Sequence, residues 1–137
     1  TYESGVYAED AAEFVTYDAA TRRAYVSNGD SGRVDVISLV DPTNPQNVSS
    51  IDVIALTQAA DPTFTGDSVR RVHAVDGVLV ATVRADPRDA RGKLTFVDSI
   101  TGLLLASVNT GSHPGAISVN GDKTAVACVT EGSFDFN

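Results

Sequence analysis

Cysteine is almost absent from the chain: Cys128 is the single one in 137 residues, so no internal disulfide forms and no Cys/His group is available for a structural zinc. Tryptophan and methionine are missing, histidine occurs twice, and 10 Lys and Arg face 18 Asp and Glu for a formal net charge of −8. With a sequence pI near 4.5, the chain repels nucleic-acid phosphates, and DNA or RNA is not expected as a partner. No apolar run approaches the ~18 residues of a transmembrane helix, and no basic segment leading into an apolar one opens the chain, so it is not expected to span a membrane. The first residue is Thr1 rather than Met, which reads as a processed or partial chain, with any secretion signal already removed. Stability must come from packing, and hydrophobic residues at 42%, spread along the whole length, are enough for a folded core.

The apolar residues alternate with period two, the signature of half-buried strands. Ten strands are expected, at 13–17, 22–27, 33–39, 48–54, 68–75, 78–84, 93–98, 103–109, 116–119 and 124–129. Turn-forming groups separate them, among them Asn28-Gly29-Asp30-Ser31-Gly32, Asp76-Gly77, Thr101-Gly102 and Asn120-Gly121-Asp122-Lys123. Connections this short belong to antiparallel hairpins and meanders.

The strands repeat as groups. A first group of four covers 13–54 and a second covers 68–109, while 110–137 opens a third; 1–12 reads as an extended arm and 55–67 as an insertion loop. The period, about 55 to 60 residues, is that of a long propeller blade. The expected fold is therefore all-β, built from antiparallel four-stranded repeats and β-propeller-like, with about two and a half blades and hence an incomplete ring, since closed propellers use about 4 to 8.

Several segments carry a family likeness. Residues 2–7 (Tyr2-Glu3-Ser4-Gly5-Val6-Tyr7), Ala24-Tyr25-Val26-Ser27-Asn28, Asp41-Pro42-Thr43-Asn44-Pro45, Ala85-Asp86-Pro87, Gly92-Lys93-Leu94-Thr95-Phe96-Val97-Asp98, Gly111-Ser112-His113-Pro114 and Glu131-Gly132 resemble, in order and spacing, the amino-terminal portion of the choice-of-anchor I family. The resemblance implies large extracellular or surface-attached proteins with a β-propeller-like fold, some of them labelled esterase-, phytase- or alkaline-phosphatase-like. Where that family carries Asn-Glu-Gly-Glu-Pro, this chain has Thr130-Glu131-Gly132-Ser133-Phe134 and lacks the second acidic residue.

Catalytic chemistry has little sequence support. His73 lies mid-strand and His113 precedes Pro114; neither has a carboxylate, serine or second histidine at a spacing that would place it alongside, and both are expected to be structural. No Gly-Xaa-Ser-Xaa-Gly elbow occurs. Cys128, between Ala127 and Val129, is expected to pack as a small hydrophobe. The nearest approaches to a calcium site are the turn residues Asn28 and Asp30 and the pair Asp86 and Asp89, which lack the full alternating ladder of oxygen ligands. Asn47-Val48-Ser49 is the one Asn-Xaa-Ser/Thr sequon, making Asn47 a glycosylation candidate.

An incomplete propeller leaves unpaired strand edges, which template pairing with other chains. The expectation is a non-catalytic extracellular or cell-surface structural module that self-assembles into fibres by strand addition, with Tyr2, Val6, Tyr7, Phe134 and Phe136 as the arm residues that dock on a neighbouring copy. The rival expectation, from the family likeness, is part of a secreted metal-dependent phosphatase-, phytase- or esterase-like hydrolase. Surface glycans are a third class of partner, because loops at the end of a sheet are common binding sites.

Overall fold

The computed structural model describes residues 1, 3, 11–29 and 31–132. Strands β1 (Phe14–Asp18), β2 (Arg23–Asn28), β3 (Arg33–Ser38) and β4 (Gln46–Asp52) form a sheet in that order. Helix α1 (Val53–Ala60) leads to a second four-stranded sheet, β5 (Gly66–Val75), β6 (Val78–Ala85), β7 (Arg91–Asp98) and β8 (Leu104–Ser112), again in chain order. Strands β9 (Pro114–Val119) and β10 (Val126–Thr130) make a two-stranded third sheet. Every pairing among the described residues is antiparallel. The fold is all-β apart from α1, and none of these sheets closes on itself.

Local chemistry sets the turns. Asp76 and Gly77 have φ of 48° and 80°, the paired positive values of a type I′ turn that an Asp-Gly step adopts readily. At the end of β7 the Asp98 carboxylate accepts from the amides of Thr101 and Ile100, both at 2.9 Å. Those bonds hold the carboxyl below its usual range.

The helix corrects the sequence reading, in which 48–54 is one strand and 55–67 an insertion loop. Strand β4 stops at Asp52, whose carboxylate caps α1 by accepting from Ala55 N at 2.9 Å. Val53 and Thr57 are fully buried, and Thr57 Oγ1 bonds Val53 O and Thr95 Oγ1 at 2.7 and 2.8 Å. Tertiary burial of one helical face overrides the extended preference of the β-branched Val53 and Ile54.

The core lies between the first two sheets. Tyr25, Val34, Val36 and Ile51 of the first sheet meet Leu79, Ala81, Val83 and Val97 of the second, with Val53 and Phe64 closing one side. Polar stitches hold the same interface. The buried Asp18 carboxylate accepts from Gly77 N (2.8 Å), Thr21 Oγ1 (3.0 Å), and Ala20 N and Asp76 N (3.1 Å each). Burial alone would raise its pKa, but these donors outweigh it and hold the carboxyl below its usual value. Tyr25 donates to Ser99 Oγ at 2.8 Å, Thr16 Oγ1 accepts from Ala74 N at 3.1 Å, and the Arg71 guanidinium sits 3.4 Å from the centre of the Phe14 ring. The first strands of the three sheets neighbour one another, β1 against β5 and β5 against β9.

Candidate functional site

One end of the second and third sheets gathers segments that are distant in sequence. The end of β6, the start of β7, the end of β8, the start of β9 and the end of β10 all meet there. Arg84, buried on β6, forks onto Asp67: Nε lies 2.8 and 3.0 Å from the two carboxylate oxygens and Nη2 lies 2.7 Å from Oδ2. Lys93, buried on β7, donates to Asp61 Oδ2 at 2.6 Å beneath the Phe64 ring. That ammonium, with Thr63, lowers the Asp61 pKa to about 2. Burial works to raise the Asp67 pKa, but the Arg84 fork outweighs it and leaves the carboxyl lowered. Each buried cation is thus neutralised where it stands, as burial of charge requires.

The same end brings His113 to Glu131, a correction to the expectation that no carboxylate stands beside either histidine. His113 Nδ1 is 3.3 Å from Glu131 Oε2, and Glu131 N donates to His113 O and Gly132 N to Ser112 O at 3.2 and 3.3 Å. The two residues are far apart in sequence, and only the β9–β10 hairpin, with His113 at φ 52°, closes the distance. His113 Nε2 is buried without a hydrogen-bond partner. Pro114 lies so close over Gly92 that a Cβ there would be 2.6 Å from the proline ring and 2.7 Å from Val83 O. The segments Gly111–Pro114, Glu131–Gly132 and Gly92–Lys93, singled out by the family likeness, are therefore neighbours in space.

A second feature lies on the far face of the second sheet. Val78, Val80, Leu94, Phe96 and Val108 form one wall of a cavity of about 550 Å³, and Val119 and Val126 of the third sheet, with Thr124 and Ala125 of the connection between its strands, form the other. Lys123 and Asp76 pair at its rim. Among the described residues sheet three has two strands where its predecessors have four, so this apolar face is only partly covered by them, and Val108 is 48% exposed. The sequence carries the signal: Leu94 and Phe96 alternate with Thr95 and Val97, so both faces of β7 are apolar and both need a covering layer.

The residues singled out from sequence are scattered. Asn28 ends β2, where its side chain accepts from Ser31 N at 3.1 Å; Asp86 and Asp89 are exposed in the β6–β7 loop. Asp30 lies outside the described residues, as do Tyr2, Val6, Tyr7, Phe134 and Phe136. Among the described residues no group of three or more His, Cys, Asp and Glu is arranged to hold a metal. Asn47 is exposed on β4 beside a bulge, where Val36 faces Ser49 and Ile37 faces Asn47. His73 faces Val80 across β5 and β6 and is half-buried. Cys128 is also only half-buried, on the edge strand β10, and that burial raises its thiol pKa. No helix among the described residues is long and apolar enough to cross a membrane.

No curated protein matches the chain. The family profile of the choice-of-anchor I domain matches residues 13–136, a span holding all three sheets and the motifs gathered at their common end. The chain therefore belongs to the choice-of-anchor I domain family, whose domains are associated with cell-surface proteins.

Proposed function

We propose that the chain is a non-catalytic extracellular or cell-surface interaction module, propeller-like in its stacking, whose open β edges pair with other copies of itself. The observation that carries the reading is the third sheet: among the described residues two antiparallel meanders of four strands are followed by a pair, which leaves an apolar face partly uncovered and a strand edge with no described partner. Three features support the propeller-like order. The sheets follow the chain in sequence, they stack face to face, and their first strands neighbour one another.

The outer strands favour association. From Leu103 to Ser112 the sequence of β8 and its approach holds no charged residue, and Leu103 and Leu105 are 65% and 55% exposed. An edge without charge lets copies with a net charge of −8 approach there without local repulsion. Strand addition through such an edge is heterologous or two-fold, giving filaments or closed pairs.

Light scattering and electron microscopy of the concentrated protein test the reading, with fibres or discrete oligomers expected. A strictly monomeric protein that hydrolyses phosphomonoesters on addition of divalent metals would replace it with the hydrolase reading.

A further inference from the structure

The loops at one end of the second sheet enclose a polar cleft of about 310 Å³, at the small end of the roughly 300–1,000 Å³ of ligand sites. The connection from α1 to β5 contributes Asp61 and Thr65, the β6–β7 loop and the start of β7 contribute Asp86 and Arg91, and Asn109 comes from β8. These segments are tied to one another. Asp86 N donates to Thr65 O at 2.9 Å, Lys93 Nζ donates to Asp61 Oδ2 at 2.6 Å, and Asn109 stands opposite Lys93 in the β7–β8 ladder. The cleft is therefore preformed, and little ordering is left for a ligand to impose. Its polar groups differ in how far they are engaged. The Lys93 and Asp61 charges neutralise each other, and Arg91 Nε donates to Thr110 O at 3.0 Å. The Asp86 carboxylate, the Asn109 amide and the outer nitrogens of Arg91 have no hydrogen-bond partner among the described residues.

We infer that this cleft is a binding site for an uncharged saccharide. With Lys93 and Asp61 paired, one charge of each sign is left in the lining, Asp86 and Arg91. A small anion would engage Arg91 and face Asp86, and a cation would meet the reverse, so neither finds a matched site. A hydroxyl both donates and accepts. Neighbouring hydroxyls of one ring can donate to the Asp86 carboxylate and the Asn109 carbonyl while accepting from Arg91 and the Asn109 amide, with no charge left opposed. The bonds to the two charged groups are the stronger ones. Asn109 and Thr65 add uncharged donors and acceptors, which a hydroxyl-rich ring uses and a small zwitterion leaves idle. Phe64, Pro87 and Ala90 complete the lining and offer apolar surface to the C–H face of the ring. Binding here needs one copy only, so the inference stands or falls apart from self-association.

Amide chemical shifts of the isotopically labelled protein, titrated with the methyl glycosides of glucose, galactose, mannose and N-acetylglucosamine, test it. At least one glycoside should move the resonances of Asp61, Thr65, Asp86 and Asn109 saturably, with a dissociation constant in the millimolar range expected of so small a ligand. Asp86→Ala and Asn109→Ala, both at exposed positions, should keep the wild-type Tm. The first should weaken binding about tenfold, because it removes a charged acceptor, and the second severalfold. Asp89→Ala, exposed in the same loop but outside the lining, should leave binding unchanged. No response to any of these glycosides, or a response indifferent to both Asp86→Ala and Asn109→Ala, would overturn the inference. Shifts at the same residues that calcium, inorganic phosphate or glycine produces and the glycosides do not would overturn it as well, and would assign the cleft to a charged ligand.

Discussion

Replacing Asp18 by Asn exchanges one carboxylate oxygen for an amide nitrogen at the interface between the first two sheets. Asp18 is 3% exposed and its two oxygens accept four bonds, two of them from the Asp76 and Gly77 amides of the neighbouring sheet. In the Asp18→Asn variant an amide group standing where Oδ2 was would face the Gly77 N–H, donor against donor. The flipped amide fares no better, because its nitrogen would then face the Ala20 and Asp76 N–H groups. An unsatisfied buried donor costs about 1–3 kcal/mol, and loss of the charge from the remaining bonds adds about 1 kcal/mol. Asp18→Asn should therefore destabilise by about 3 kcal/mol, or roughly 10 °C in Tm for a chain of this size. The pH dependence follows from the lowered carboxyl pKa. A depressed folded-state pKa contributes stability that is fully present above the ordinary carboxylate range and is lost as pH falls through the folded value. The gap between wild type and variant should be full at neutral pH and close progressively below the ordinary value of 3.8. Urea unfolding at several pH values measures it. A gap below about 0.5 kcal/mol at neutral pH, within the range of an ordinary surface substitution, would refute the role of Asp18 in joining the two sheets.

Tyr25→Phe removes the hydroxyl that donates to Ser99 across the sheet interface and should cost about 1 kcal/mol in urea unfolding. Gly92→Ala drives a methyl group into the Pro114 ring and Val83 O, and an overpacking cost of about 1–3 kcal/mol is expected in thermal unfolding. Asp61, held to about 2 by Lys93 and Thr63, should stay ionised well below its ordinary 3.8. Its carboxyl resonance, followed by NMR, should titrate near the lower value in wild type and return toward the ordinary one in Lys93→Met.

Much of the architecture is legible because period-two alternation and turn residues act locally. The ten strands, their grouping by four and the Asp76-Gly77 turn follow from residues adjacent in sequence. What escapes depends on distance. The α1 segment contains Val53 and Ile54, whose branched side chains read as strand, and only burial against the second sheet selects the helix. The His113–Glu131 pair forms through a left-handed backbone at His113 and a hairpin closing on itself, neither of which is visible in spacing. The half-buried state of Cys128 goes with a third sheet of two described strands: the apolar neighbours Ala127 and Val129 suggest a core position, but no described strand covers that edge. Of the calcium candidates, Asn28 accepts from Ser31 N in a turn, Asp86 and Asp89 stand exposed in the β6–β7 loop, and Asp30 lies outside the described residues.

Sedimentation velocity from micromolar to millimolar protein, run on wild type and on a variant carrying Leu103→Lys, Leu105→Lys and Val129→Lys, tests the open-edge proposal most directly. A sedimentation coefficient that rises with concentration is expected for wild type, and one that stays at the monomer value for the variant, whose lysines guard the edges. A wild-type coefficient fixed at that of a 14.3 kDa monomer across the whole range would contradict it.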